Sequence, residues 1–197
     1  MFTGIVASAF IEAINREENG WILQVAAPQI APKVQLGDSV AIDGACLSVY
    51  NVEGTVLWFY VSPESIDKTI MRFYTQGTKV NIELPMQPTG YLGGHYVLGH
   101  VDATATVMNI IPGDKAWFFT ISIPEPFVKY VVYKGSVAIN GVSLTINRVV
   151  DQNIELCIIP ITIEKTNMSL LKENDMVNIE FDILAKYTEQ LLLKRDN

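Results

Sequence analysis

Positive charge is scarce in this chain. Lys and Arg number 14 against 21 Asp and Glu, for a net charge of −7, and the deficit is spread evenly: residues 1–88 carry 5 basic and 9 acidic groups, residues 89–197 carry 9 and 12. Without a basic cluster to neutralise phosphates, nucleic acid and anionic membrane are excluded as partners, and a small neutral ligand fits better. Cysteine is nearly absent too. Cys46 and Cys157 are too few for a disulfide framework, which points to reduced thiols and a cytoplasmic protein. Two cysteines and two histidines, with no CxxC or HxxxH spacing, make no zinc site, and no metal is expected. No apolar run reaches the roughly 18–20 residues of a membrane span. The start, "MFTGIVASAFIEAINREENG", has no basic region ahead of its apolar stretch and is not expected to be a signal peptide. Gly and Pro are dispersed, and 49% of residues are hydrophobic, as in a folded globular chain.

What the sequence does contain is itself, twice. "SVAIDGACLSV" at residues 39–49 and "SVAINGVSLTI" at residues 136–146 share six of eleven positions. The same offset of 97 aligns Gly44 with Gly141, Pro63 with Pro160, Lys68 with Lys165 and Asn81 with Asn178. Upstream the offset drifts to 96 at "WILQVAAP" and to 95 at "GIVASAFIEAI", as small insertions would produce. The chain therefore reads as two homologous modules, 1–88 and 89–186, followed by a tail, 187–197, whose helix begins near residue 183. Each module holds short alternating or apolar runs broken by "GD", "DG" and "VEG" turns, the signature of a small antiparallel barrel of five or six strands. One helix interrupts each module. Ser62 is placed to cap the first, with Pro63 and Glu64 in its first turn; the second begins near Pro160, with Thr162 to cap it and Glu164 in its first turn. In the tail, Leu184, Tyr187 and Leu191 share a helical face that Leu192 and Leu193 widen, which predicts subunit association.

Duplication either enlarges a stable protein or supplies two like pockets, which would suit a reaction between two identical molecules. The chemistry-bearing residues bear on that choice. Cys46 stands where the second copy has Ser143, so the fold has no need of a thiol there; it is a candidate nucleophile, or simply a small strand residue. His95 and His100 lie five apart in "GGHYVLGHVD", and on a strand that odd spacing sends them to opposite faces. Either could carry protons, or serve only to bond a backbone carbonyl. Ser39, Ser48, Ser136, Ser143 and Thr145 recur at matched places, where hydroxyls suit a ligand rich in hydroxyl and amide groups or merely face solvent. Lys134 is a ligand contact or a solvated lysine.

Together "MFTGIV", "GDSVAIDGACLSV", "GGHYVLGHVD", "KGSVAINGVSLTI" and "IPITIEKTN", in this order and spanning nearly the whole chain, resemble the riboflavin synthase family. The resemblance implies an all-β fold: two tandem six-stranded antiparallel β-barrels with short helices, and a C-terminal helix that holds a homotrimer. It implies a transferase reaction in which two molecules of 6,7-dimethyl-8-ribityllumazine exchange a four-carbon unit, giving riboflavin and 5-amino-6-(ribitylamino)uracil without a separate cofactor. One substrate is expected in each barrel, with the site formed between the N-terminal barrel of one subunit and the C-terminal barrel of the next. Carried over by motif, the first pocket takes Gly4, Ile5, Val6, Cys46, Leu47, Ser48, Tyr60, Val61, Ser62, Pro63, Glu64 and Ser65, with Gly99, His100 and Val101 crossing from the seam. The second takes Lys134, Ser143, Leu144, Thr145, Cys157, Ile158, Ile159, Pro160, Ile161 and Thr162. Ser39, Cys46, His100 and Asp182 are the implied catalytic residues, with His100 as proton carrier and Cys46 or Ser39 as nucleophile or positioner. Ser48 replaces a common threonine, and Ile161 stands where the family is often polar. Two other readings remain: a lumazine-binding antenna protein of the same fold, and the flavin-binding barrel of a reductase, which needs a nucleotide-binding domain for which this chain has no room.

Overall fold

The computed structural model describes residues 1–195; the last two residues of the expected tail lie outside them. Where the sequence alternates, it forms strands. The first module gives β1 (Ala7–Glu17), β2 (Gly20–Ala26), β3 (Ser39–Ile42), β4 (Ala45–Glu53), β5 (Val56–Val61) and β6 (Lys79–Glu83), with helix α1 (Pro63–Lys68) after β5. The second gives β7 (Ala103–Ile111), β8 (Trp117–Ser122), β9 (Ser136–Ile139), β10 (Val142–Val150), β11 (Asn153–Ile158) and β12 (Met176–Phe181), with α2 (Pro160–Lys165) after β11 and α3 (Ile183–Arg195) at the end. Each set closes into an antiparallel barrel, in the order β1-β2-β5-β4-β3-β6 and, matching it strand for strand, β7-β8-β11-β10-β9-β12. Even the irregularities repeat, with register shifts at Ile11/Ala13 and Val49/Asn51 answered by Val107/Asn109 and Ile146/Arg148. Such bulges bend the long strands far enough to close a small barrel.

Side chains fill each lumen. Leu23, Val25, Val40, Ile42, Leu57, Phe59, Val80 and Ile82 are almost fully buried in the first; Phe119, Ile121, Val137, Ile139, Ile146, Ile154, Leu156 and Ile179 are buried in the second. Each such side chain stabilises the fold by roughly 1.5–3 kcal/mol relative to exposure. The helices differ in how they begin. As expected, the Ser62 hydroxyl accepts the Ser65 N–H and caps α1. For α2, however, the N-cap is Ile159, which has no side-chain oxygen to offer, so Thr162 lies inside the first turn rather than before it and Glu164 falls beyond that turn.

The barrels meet at a polar seam about a pseudo-dyad. The turns after β3 and β9 are Asp43-Gly44 and Asn140-Gly141, with Asp43 and Asn140 in the left-handed region (φ 42° and 46°) that such two-residue hairpins demand. A β-carbon on Gly44 would stand 2.8 Å from the Gly141 nitrogen, so the two turns touch backbone to backbone. Asn81 Nδ2 donates to the Asn140 carbonyl (2.9 Å) and Asn178 Nδ2 donates to the Asp43 carbonyl (2.8 Å), a reciprocal exchange across the seam. Asp43 is fully enclosed: Oδ1 accepts from the Asn81 N–H (2.7 Å) and Asn167 Nδ2 (2.9 Å), and Oδ2 from the Tyr74 hydroxyl (2.6 Å). Burial pushes its carboxyl up to about 7 even so, because the three donors offset only part of the desolvation.

The tail helix leaves the second barrel and is pinned to it by its polar residues. Lys186 pairs with Asp102 at 2.6 Å, and Glu189 accepts from Lys129 and Tyr130. Asp102 is the residue by which the two modules differ in length before their first strands, so the insertion itself anchors α3. Leu184, Tyr187, Leu191, Leu192 and Leu193 are all more than half exposed.

Candidate active site

In β3 and β4 the core side takes Val40, Ile42, Ala45, Leu47 and Val49, so alternation sends Ser39, Ala41, Cys46 and Ser48 to the outer face. Register then sets them side by side: Ser39 opposite Ser48, and Ala41 opposite Cys46. The second barrel repeats the pattern with Ser136 opposite Thr145 and Ala138 opposite Ser143. The hydroxyls and the thiol are therefore gathered on one outward patch per barrel. The lumens themselves are packed with side chains, so each patch lies outside its barrel. By the same alternation Leu47, Val61 and Ile158, expected at the site, turn their side chains into the cores.

Past β5 the chain runs on toward the Cys46 end of β4, because Val49 pairs with Phe59 and the strands are antiparallel. Ser62, Pro63, Glu64 and Ser65 thus form one rim of the first patch. Ile159, Pro160, Ile161 and Thr162 do the same beside Ser143, where Ile159 and Ile161 are about half exposed. Tyr60 and its counterpart Cys157 point outward, and the Tyr60 hydroxyl donates to the Asn19 carbonyl. Leu144 packs against the second core, Val101 against the first. Lys134 holds φ 64°, where the matched residue of the first module is Gly37 (φ 87°). An exposed lysine in that conformation, its ammonium over the Tyr133 ring at 5.3 Å, is the one residue at the site whose backbone is strained.

The other rim of each patch comes from a short strap in the seam, residues 2–6 and residues 97–101, joined to each other by a bridge between Phe2 and Val97. The straps cross. Cys46 N–H donates to the Gly99 carbonyl at 2.8 Å, and Ser143 N–H donates to the Gly4 carbonyl at 3.0 Å. Gly4, Ile5 and Val6 accordingly border the second barrel's patch and not the first, to which the motif resemblance assigned them, while Gly99, His100 and Val101 border the first. Both glycines have positive φ (78° and 82°), and a β-carbon would stand 2.5 Å from that of Ser143 and 2.6 Å from that of Cys46, so no other residue fits.

The histidines lie in this irregular connection and not on a strand, but they do part company. His95 is buried with Nδ1 2.8 Å from Ser143 Oγ, and its Nε2 is buried with no partner among the described residues. Burial holds the imidazole below its ordinary range, and the Asp182 charge opposes this. Asp182 also caps α3 by accepting the Leu184 N–H. His100 is exposed beside the first patch, its N–H donated to Glu180 Oε2 at 3.1 Å. Sequence reasoning weighed both histidines but passed over the contact between His95 and Ser143, and missed Glu83 and Glu180 entirely. The signal for the carboxylates was present: "NIEL" and "NIEF", at the common offset, put an acid at the same place in an otherwise apolar strand. A cleft of about 710 Å³ opens elsewhere on the seam, beside Asp43, Tyr74, Phe73 and Leu170. Among the described residues no three His, Cys, Asp or Glu converge as metal ligands.

Comparison with known proteins adds a second line. The family model of the lumazine binding domain matches twice, at residues 3–85 and 98–182. Riboflavin synthase from Photobacterium phosphoreum is 38% identical over 98% of this chain and 89% of its own, and that from Bacillus amyloliquefaciens 36% identical over 100% and 92%. A crystal structure of LumP complexed with riboflavin matches with a TM-score of 0.86 and 28% identity, and one with 6,7-dimethyl-8-(1'-D-ribityl) lumazine with 0.84 and 27%; each match covers 92% of this chain and 99% of the other.

Proposed function

The chain belongs to the riboflavin synthase family, and from that premise we propose that it dismutates 6,7-dimethyl-8-ribityllumazine. One molecule gives up a four-carbon unit and leaves as 5-amino-6-(ribitylamino)uracil; the other gains it and leaves as riboflavin. The exchange is internal to the two substrates and calls for no separate cofactor. The observation that carries this reading is the pair of outward patches, alike in backbone and unlike in reactive groups: Cys46 with Ser39, Ser48 and His100 on one, Ser143 with Thr145 and His95 on the other.

The reaction needs a base for the acidic C7 methyl of one lumazine and a nucleophile, water or a side chain, at C7 of the other. His95, aimed at Ser143, is suited to accept or relay a proton in the second patch, with Asp182 stabilising the charge it gains. Cys46 or Ser39 supplies or positions the nucleophile in the first, and His100 carries protons there. Because both patches face outward, neither is enclosed by its own barrel. A second subunit laying one patch over another would bring two lumazine rings face to face and replace a bimolecular encounter with an oriented one. The apolar outer face of α3 supports a homotrimer as that assembly, and the two unpaired thiols support a cytoplasmic location.

Incubation with 6,7-dimethyl-8-ribityllumazine alone should yield one riboflavin per two substrates consumed, followed by absorbance. Folded protein that holds one lumazine tightly without turnover would instead establish the antenna reading. Two observations weigh against that outcome: identity to the synthases exceeds that to LumP, and both patches keep their reactive groups.

A further inference from the structure

Two buried carboxylates have no part in the chemistry above, yet each sits at the root of it. Glu83 ends β6 and Glu180 lies near the end of β12, with 8% and 3% of their surface exposed. Both are fully engaged by the straps. Glu180 accepts the N–H groups of Leu98 (2.6 Å), Gly99 (2.9 Å) and His100 (3.1 Å). Glu83 accepts the Thr3 N–H (2.7 Å), the Thr3 hydroxyl (2.7 Å) and the Gly4 N–H (2.9 Å). Burial of a carboxylate is costly unless donors converge on it in this way, so the sites are built around the charge.

What each carboxylate holds does not belong to its own barrel's patch. Glu180, in the second barrel, fixes the Gly99 peptide, whose carbonyl accepts the N–H of Cys46 in the first barrel. Glu83, in the first barrel, fixes Gly4, whose carbonyl accepts the N–H of Ser143 in the second. The two clamps are also unequal. Glu180 takes the His100 N–H directly, whereas at the matched place the Ile5 N–H turns to the Thr3 hydroxyl at 3.2 Å. One carboxylate therefore sets the backbone of two candidate reactive residues of the first patch, Cys46 and His100.

We propose that Glu180 and Glu83 are positioning residues that act across the seam, Glu180 holding Cys46 and His100 in register and Glu83 holding Ser143. Its turnover arm rests on the synthase reading; its geometric arm does not. Gln at either position keeps the size but turns an amide N–H₂ toward N–H donors, which displaces the strap. Alkylation of Cys46 by iodoacetamide, resolved from Cys157 by peptide mass spectrometry, should change several-fold in Glu180→Gln and stay at the parent rate in Glu83→Gln. With lumazine, both variants should lose turnover roughly 10- to 100-fold, chiefly in kcat, as a displaced reacting group does. An equal change of Cys46 reactivity in both variants, or none in Glu180→Gln, overturns the proposal, since a general loosening of the fold would not distinguish the barrels. If Glu180→Gln does not fold, Glu180→Asp, which keeps the charge but falls short of the strap, is read in the same way. A parent enzyme without turnover refutes the synthase reading and leaves the alkylation result to decide this one.

Discussion

Replacing Asp43 by Asn should remove most of the pH dependence of folding between pH 4 and 7. The carboxyl is raised from its ordinary 3.8 to about 7 in the fold, so within that window the folded chain keeps a proton that the unfolded chain has lost. Stability from this group is then fully present at the acid end, declines by about 1.4 kcal/mol per pH unit as pH rises, and is gone above the folded value. Over the whole window the loss amounts to at most about 4 kcal/mol. Asn mimics the neutral acid, and Asn140 shows that the residue suits the same turn, with Oδ1 accepting the Asn178 N–H at 2.8 Å. The variant should match the parent near pH 4, already exceed it by about 1.5 kcal/mol at pH 5, and exceed it by about 4 kcal/mol at pH 8. Urea unfolding of both proteins at pH 5, 6, 7 and 8, followed by tryptophan fluorescence, gives the two curves. Burial raises Glu83 and Glu180 as well, but they contribute equally to both proteins and cancel in the difference. Parallel curves would refute the reasoning.

Cys46→Ser keeps the shape of the first patch while making it resemble the second, so lumazine binding by titration should persist as turnover falls; unchanged turnover would assign Cys46 a packing role. His95→Leu removes the group facing Ser143 and should lower kcat by roughly 10²–10⁴, the usual range for a lost acid–base residue, with circular dichroism unaltered. Gly44→Ala would drive a β-carbon to 2.8 Å from the Gly141 nitrogen, and its melting temperature should drop by several degrees, since the positive φ adds about 1 kcal/mol to the clash. Light scattering should find the proposed homotrimer for the parent and monomers when Leu184 and Leu191 are both replaced by Glu, with both barrels intact by circular dichroism.

The barrels were legible because repeat and alternation agree: the repeat, with its one-residue drifts, carries strands and turns together, and α1 announced itself through Ser62 and Pro63. The start of α2 misled because Thr162 has the chemistry of a cap but stands one turn too late, after Ile159 and Pro160. At the site, residue types were readable while their surroundings were not. A strand pattern with hydrophobic residues inside tells that Cys46 and Ser48 share a face, yet not which other segments border that face. The crossing of the straps was beyond reach for a different reason. Gly4 and Gly99 reach their partners through backbone carbonyls, and carbonyls leave no letter in the sequence. Glu83 and Glu180 did leave one, twice, and a buried acid repeated in an apolar strand is a stronger pointer than either histidine.

The crossed straps bear on how this molecule comes apart. Its two hydrophobic cores are separate clusters, linked at the seam by a small apolar patch of Phe2, Ala41, Val97 and Ala138 and by polar contacts, and two such barrels would ordinarily melt one after the other. Here the straps couple them: loss of the second barrel frees Glu180, and with it the peptide that anchors Cys46 in the first, while loss of the first frees Glu83 and the peptide that anchors Ser143. Opening of either barrel should therefore loosen the patch of the other, and calorimetry should find one unfolding transition rather than two.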